Sequence, residues 1–409
     1  MAHSLPCRAV LLAGAALVVS AARPATAQYL PSSPIALAGG RIVIGGDIAA
    51  SIGPRDEEGW FNYTDYEHDA LRLFRVSVAG EWRIARRLSV LGELRSENVE
   101  RPQAYAAYVR VRPFANVPLD VQGGRIPPTF GAFGRRVYSN DNPLIGYPLA
   151  YQYLLSIRPD AIPETPDDLL RMRARGWQPS FPLGSAELRP GVPVMTAFEW
   201  DTGIQVRAGP DRAQVAMAVT NGSLSAPRFS DDNGGKQVAA RAQFRPLFGL
   251  VIGASAARGA WLSREIEQLA AREGSSAQQA IGVDVEYSWG YWILRGEAIR
   301  STWTIPTTDP DGVRFDLSAT TGWIEGRYRL TPRLYLAGRA DRLTFSTIAG
   351  SLFGGAATAW DAPVTRLEVG GGWYLQRNLV ARAAVQRNWR DGGRKRERTF
   401  LSGQLLFWF

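Results

Sequence analysis

Apolar and polar side chains alternate along most of the chain, and the alternation has a period of two. That period marks a strand with one apolar and one polar face. Residues 71–83 set Phe74, Val76, Val78 and Trp82 against Arg75, Ser77, Glu81 and Arg83. Residues 88–97 set Leu88, Val90 and Leu94 against Ser89, Glu93, Arg95 and Glu97. Residues 198–207 set Phe198, Trp200, Ile204 and Val206 against Glu199, Asp201, Gln205 and Arg207. The same holds over 280–289, 291–303 (Trp292, Leu294 and Ala298 against Arg295 and Glu297), 333–345 (Leu334, Leu336 and Ala340 against Arg339 and Asp341) and 364–375. Further strands are predicted at 41–52, 104–112, 119–126, 213–221, 236–245, 248–259, 316–329, 379–390 and 397–409, about sixteen in all.

The connections alternate between short turns and long loops. Short ones fall at 84–87, 113–118, 209–212, 245–248, 289–290, 330–333 and 376–378. Long ones fall at about 53–70, 98–103, 127–197, 222–235, 260–278, 304–315, 346–362 and 391–396. A soluble sandwich or propeller has no reason to sort its connections this way. A sheet in hydrocarbon must close on itself, because each unpaired backbone group there is costly. The charged parity cannot face lipid cheaply, since an arginine at the midplane costs about 2–4 kcal/mol, so it faces a lumen. The predicted fold is all-β, a transmembrane antiparallel β-barrel of about sixteen strands. Aromatics near strand ends are expected to form two interfacial belts. Trp82, Trp289, Trp292, Tyr328, Tyr335, Trp373, Tyr374 and Trp408 fall at one end, and Trp200, Trp303 and Trp389 at the other.

The last nine residues place Leu401, Gly403, Leu405, Phe407 and Phe409 on one parity, with Ser402 and Gln404 between. This stretch resembles the closing strand of bacterial outer-membrane β-barrels, whose assembly machinery reads a terminal aromatic. The resemblance makes Phe409, Phe407 and Leu405 an assembly signal. It implies the cell outer membrane, with its lipid and lipopolysaccharide, as the surroundings, and the barrel assembly machinery as a partner. The N-terminus resembles a secretory signal peptide: Arg8, an apolar run from Ala9 to Ala22, and Ala25-Thr26-Ala27 before Gln28. The expected organisation is a leader over 1–27 and a barrel over 28–409. The single cysteine, Cys7, falls in the leader. In the general porins a long third loop folds into the lumen, and residues 127–197 match its position; a homotrimer is implied by the same likeness. Gly124-Arg125-Ile126-Pro127-Pro128-Thr129-Phe130-Gly131 and Val219-Thr220-Asn221-Gly222-Ser223 resemble strand ends of the phosphate- and polyphosphate-selective porin group. That group's substrate-binding lysines have no counterpart, since the lysines are Lys236 and Lys395.

Charge refines this picture. The formal charge is +9, two fewer without Arg8 and Arg23, and the cations are dispersed along strands. Nucleic acid is therefore not an expected partner. The third loop carries Arg135, Arg136, Arg158, Arg171, Arg173 and Arg175 with Asp167 and Asp168. A short helix is predicted near Asp167–Arg175, with Pro166 at its start. An arginine-bearing constriction would attract anions by fixed charge and guanidinium hydrogen bonds. The lumen wall is expected to present Arg75, Arg95, Arg207, Arg295 and Arg339 with Glu199, Asp201, Glu297 and Asp341. The expected function is passive diffusion of small hydrophilic solutes with an anion preference. No enzyme activity, cofactor or metal is expected: Asp231-Asp232-Asn233 reads as an acidic turn and no phosphate-cradling loop is present. The alternative is a loop-plugged barrel acting as receptor or adhesin, or as a hydrolase through His68 beside Asp65, Glu67 and Asp69.

Overall fold

Period-two alternation becomes a wall in a computed structural model of the chain, which describes residues 33–409 except 57–59, 65–66, 136–139, 234, 270–275, 307–314 and 392–394. The leader, Asp65 and Arg136 lie outside the described residues. The barrel strands are β1 (Ile42–Ile52), β2 (Phe74–Ala85), β3 (Leu88–Glu97), β4 (Gln103–Val111), β5 (Leu119–Ile126), β6 (Asp201–Ala208), β7 (Ala213–Thr220) and β8 (Gln237–Phe244). They continue as β9 (Leu250–Ala260), β10 (Ala277–Trp289), β11 (Trp292–Ile305), β12 (Phe315–Arg329), β13 (Leu334–Phe345), β14 (Val364–Gln376), β15 (Leu379–Asp391) and β16 (Lys395–Trp408). Each pairs antiparallel with its neighbour in sequence, and β1 pairs with both β2 and β16. The sixteen strands therefore form a closed antiparallel barrel.

Closure is completed at Phe409, whose N–H and carbonyl both bond Gly46 at 3.0 Å. Below it, Ile35–Leu37 pairs with Ile42–Ile44 and continues the line of β16. Phe407 and Phe409 stack outside the wall with centroids 6.0 Å apart. Leu406 and Trp408 take the opposite parity and point inward.

Connections at one end, the turn end, are short; the longest, 112–118, has seven residues. At the other end, the loop end, 127–200 is the longest. The wall is uneven in height: β6, β7 and β8 have 8 residues each, whereas β10, β11 and β12 have 13, 14 and 15.

Outward rows are apolar and exposed. Ile204 is 60 % exposed, Ile281 63 %, Ile324 69 % and Leu401 67 %. Such rows suit hydrocarbon, and the charged parity lines the lumen. Some predicted belt residues turn inward instead. Trp200 precedes β6, and with Phe198 it belongs to the interior rather than to a lipid-facing strand. Trp303 lies on the inner parity of β11 and is fully buried. Tyr335, Tyr374 and Trp408 also face inward, packed together at the turn end. For the strand residues Trp303, Tyr335, Tyr374 and Trp408, parity overrides proximity to a strand end.

Candidate functional site

The described residues of 127–200 fold into the lumen. Their apolar side chains, among them Phe130, Phe133, Tyr147, Leu149, Tyr151 and Leu155, are buried in one cluster with wall residues Ile299, Trp303, Leu317 and Trp323. The wall invites this. The inner rows of β11 and β12 change from charged to apolar toward the loop end, from Glu297 to Ile299, Trp303 and Ile305, and from Glu325 to Ala319 and Leu317. Burying each large apolar side chain is worth about 1.5–3 kcal/mol. Helix α1 (Leu149–Gln152) is buried at all four positions. Helix α2 (Pro166–Arg171) starts with a capping box between Thr165 and Asp168 and a proline in its first turn. It stops at Arg171, short of the predicted Arg175.

Polar contacts fix the loop against the wall. Ala132 N and Tyr151 OH donate to the Glu297 carboxylate at 2.8 and 2.5 Å, and Trp323 Nε1 donates to it at 3.2 Å. Ile145 N and Gly146 N donate to Glu368 at 3.2 and 2.9 Å. Arg339 donates to Gly146 O at 2.6 Å and to Glu368 at 2.8 Å, and lies 3.2 Å from Glu325 and 3.4 Å from Asp341. Arg366 donates to Tyr147 O at 2.7 Å, to Phe61 O of the first long loop at 2.5 Å and to Asn388 at 2.7 Å. Arg75 donates to Tyr147 OH at 2.6 Å and pairs with Glu97 at 2.5 Å. Tyr335 OH donates to Pro143 O at 2.9 Å, and Leu144 packs beside Ala49, Val380 and Leu406. Across the lumen, Tyr105 OH donates to Ala197 O at 2.6 Å, Gln205 bonds Thr129, Ser255 Oγ accepts from Gly131 N at 3.1 Å, and Gln278 donates to Val194 O at 2.9 Å. Buried charges need such partners, and here loop N–H and carbonyl groups supply them.

The residues singled out in the sequence divide into three groups. Arg75, Arg95, Arg339, Glu297 and Asp341 are buried on the inner wall beneath the loop. Arg95 lies 3.6 Å over the Tyr105 ring and 3.3 Å from Glu93. Nearer the turn end, Arg110, Arg207, Arg295 and Arg327 are only half-buried. Arg295 there is 2.8 Å from Glu286 and donates to Asp141 O at 3.2 Å. Arg110 pairs with Glu81 at 2.5 Å, and Arg112 lies 3.5 Å from Asp120. Arg207 and Arg327 line this half with no ion-pair partner among the described residues; Arg327 sits 5.9 Å over the Tyr335 ring.

The third group gathers at the loop end. Asp201 is a fastener for the loop 221–236, accepting from Gly222 N at 2.9 Å and Arg228 N at 3.0 Å. Glu199 lines a cavity of about 510 Å³ with Tyr63, Phe198 and Arg228, and burial pushes its carboxyl pKa up. Arg158 is buried and occupied by Asp160 at 2.8 Å and by the carbonyls of Pro179 and Glu187 at 3.0 and 2.7 Å. Arg171 pairs with Asp168 at 3.3 Å, Arg173 lies 5.6 Å over Phe353, and Arg175 is exposed. Asp167 accepts from Leu352 N at 3.1 Å and from the Ser351 hydroxyl. This places them where the third loop meets the loop 346–363. Arg135 closes a 3-10 turn with Phe133 and Gly134, and its side chain lies outside the described residues.

His68 is half-buried with Nε2 3.0 Å from Glu100. Asp231 and Asp232 pair with Lys236 and Arg228 at 2.5 and 2.6 Å. Gly146, Tyr147 and Tyr151, which hold the loop to the wall, were not among the sequence candidates. A loop has no periodicity to expose them; their only signal is the density of aromatics and prolines between 143 and 153.

No protein-family model and no curated protein matches the chain. Solved structures do. OmpT of Vibrio cholerae, an outer membrane protein, superposes with a TM-score of 0.53 at 10% identity over 91% of this chain and 99% of that one. The outer membrane channel DcaP of Acinetobacter baumannii gives 0.51 at 11% over 92% and 100%. OmpF of Salmonella typhi, in complex with daunomycin, gives 0.51 at 11% over 92% and 100%. The chain has the fold of these outer-membrane barrels.

Proposed function

We propose that the protein is an outer-membrane porin that admits small hydrophilic solutes through a lumen narrowed by residues 127–200. The observation that carries this reading is a closed sixteen-strand wall, apolar outside and charged inside. On this reading the turn end faces the periplasm, the loop end faces outward, residues 1–27 direct export, and Leu405, Phe407 and Phe409 present the assembly signal. Lipid and lipopolysaccharide surround the wall, and three copies associate as a homotrimer. Anion preference rests on Arg207 and Arg327, two cations of the periplasmic half with no ion-pair partner among the described residues, with Arg171, Arg173 and Arg175 collecting anions at the entrance by their field. The lumen arginines that are already paired contribute little net field.

Planar-bilayer recording of refolded protein under a salt gradient tests this. Small, stable conductance with a reversal potential of anion sign is expected. A cation sign removes the arginine argument, and silence from a folded barrel favours the second reading. That reading is a barrel plugged by its third loop and acting through its outer loops as receptor, adhesin or hydrolase. It is favoured by one observation: loop residues bond strands from β2 round to β15.

A further inference from the structure

The loop end holds a cavity that the channel reading leaves without a role. Its volume is about 510 Å³. Sites for small molecules commonly measure about 300–1,000 Å³. Its walls come largely from three segments: Tyr63 and Glu67 of the first long loop, residues between 190 and 199 of the third loop, and residues between 225 and 232 of the loop after β7.

These segments are fastened to one another. Gln152 Nε2 donates to Tyr63 O at 3.2 Å, and Thr196 N donates to Leu224 O at 2.9 Å. Ser225 N donates to Gln278 Oε1 at 2.9 Å, which ties the loop after β7 to β10. Pro190, Pro193 and Pro227 fix φ at three places in the lining. The cavity is therefore formed in advance, and a ligand does not bear the cost of ordering it.

Its charge is one-sided. Glu67, Glu199 and Asp232 share the lining with a single arginine, Arg228, whose Nη1 is occupied by Asp232 at 2.6 Å. Glu67 and Glu199 make no ion pair, and their carboxylates accept no hydrogen bond, among the described residues. Glu67 is exposed, whereas Glu199 is half-buried. Burial pushes the Glu199 carboxyl pKa up; Arg125 of β5 opposes that shift, but its Nε is committed to Trp200 O at 2.9 Å. A carboxylate drawn partly out of water without a counter-charge is costly. A cation in the cavity would supply the missing partner. Tyr63, Phe198 and Phe229 add aromatic surface to the same lining, and Phe229 is 68 % exposed. Aromatic rings attract cations and also bury hydrocarbon.

We propose that this cavity binds a small organic cation, an ammonium carried on an apolar or aromatic body. The ammonium pairs with Glu199, and the body lies against Tyr63, Phe198 and Phe229. Glu67 and Glu199 repel a free anion, and a neutral polyol would leave Glu199 without its counter-charge. The site goes beyond the channel reading, since it uses neither Arg207 nor Arg327.

The test uses the full-length refolded barrel in an uncharged detergent, at mildly alkaline pH, where carboxyls are ionised and an amine keeps its charge. Three probes share one ring and differ in charge: 2-phenylethylammonium, 2-phenylethanol and phenylacetate. Binding is read by ligand-detected NMR titration, and folding by heat-modifiable gel migration. The ammonium should bind tightest and phenylacetate weakest. Glu199→Gln keeps the side chain's size and breaks no hydrogen bond among the described residues, so the fold should be unchanged. It should weaken the ammonium ~10-fold and leave the alcohol unchanged. The same variant in the same detergent subtracts uptake by the micelle. Phe229→Ala should weaken the ammonium and the alcohol alike. Equal affinity for the three probes overturns the proposal, and so does unchanged ammonium affinity in folded Glu199→Gln. Conductance of the same samples separates the two readings: ammonium binding without current removes the channel alone, and current with no preference for the ammonium removes this site alone.

Discussion

Glu297 is the strongest single test of the docked third loop. Its carboxylate receives Ala132 N, Tyr151 OH and Trp323 Nε1, so one side chain ties two separate parts of the loop to two wall strands. It is 4 % exposed, and water does not replace it readily. Glu297→Ala strands three buried donors, and a buried donor left unpaired costs about 1–3 kcal/mol. At about 1 kcal/mol each, the docked loop loses ~3 kcal/mol. Since 1.4 kcal/mol is tenfold, the undocked fraction rises about 100-fold. The barrel should survive, because the ladder between β11 and β12 is made by backbone groups. Two assays read the loop. Trypsin cleavage at Arg171 and Arg175 should accelerate, and single-channel records should show larger or more frequent openings. Glu297→Gln keeps an acceptor oxygen and should fall between variant and wild type. If Glu297→Ala folds normally yet shifts neither cleavage rate nor current by more than about threefold, the loop is not held by this carboxylate and the energetic reasoning fails.

Three further outcomes follow. A Cβ on Gly146 would overlap Gln386 Nε2 and sit 2.6 Å from Glu368 Oε2, so Gly146→Val should expel the segment 143–147 and raise conductance, while Gly123→Val, whose Cβ position is open and whose φ is ordinary, should leave conductance unchanged. Arg207→Glu with Arg327→Glu should move the reversal potential toward cations by more than charge reversal at Arg171, Arg173 and Arg175, where one partner, Asp168, already offsets part of the charge; the opposite order would return selectivity to the loop. In the first long loop, burial raises Asp56 to about 7 and Asp69 to about 6. The unfolded carboxyl ionises near 4, so the docked form holds its proton longer and docking weakens as pH rises from about 4 to about 7. Protection factors at residues 60–64, exchange rates divided by the intrinsic rate at each pH, should therefore be higher at pH 5 than at pH 8, and Asp56→Asn should flatten the difference.

The wall was legible because a strand repeats every two residues and the lumen imposes the same rule on every strand. Arg75, Arg295, Arg339, Glu297 and Asp341 share the inner parity of their strands and are buried or half-buried there. The rule failed where the chain left the ladder. Phe198 and Trp200 alternate with Glu199 and Asp201 as if in a strand, but β6 begins only at Asp201, and both rings pack into the loop core. Trp303 was misread for a different reason. Its parity is inward, and the inner wall is apolar at its height because the loop covers it.

Charge was the harder quantity to read, because a sequence gives cations without their partners. Arg158 looked like a free constriction cation, yet Asp160 and two carbonyls occupy it. Arg366 and Arg339 look like wall charges for a solute, and they are instead spent on the loop's own carbonyls, which satisfy them at 2.7 and 2.6 Å. What selects a solute is the remainder after such pairing, and for Arg339 and Arg366 that pairing spans 193 and 219 residues of chain. The same subtraction leaves Arg207 and Arg327 inside the barrel with no ion-pair partner among the described residues. There they meet water and diffusing ions, and no neighbouring carboxylate cancels their field.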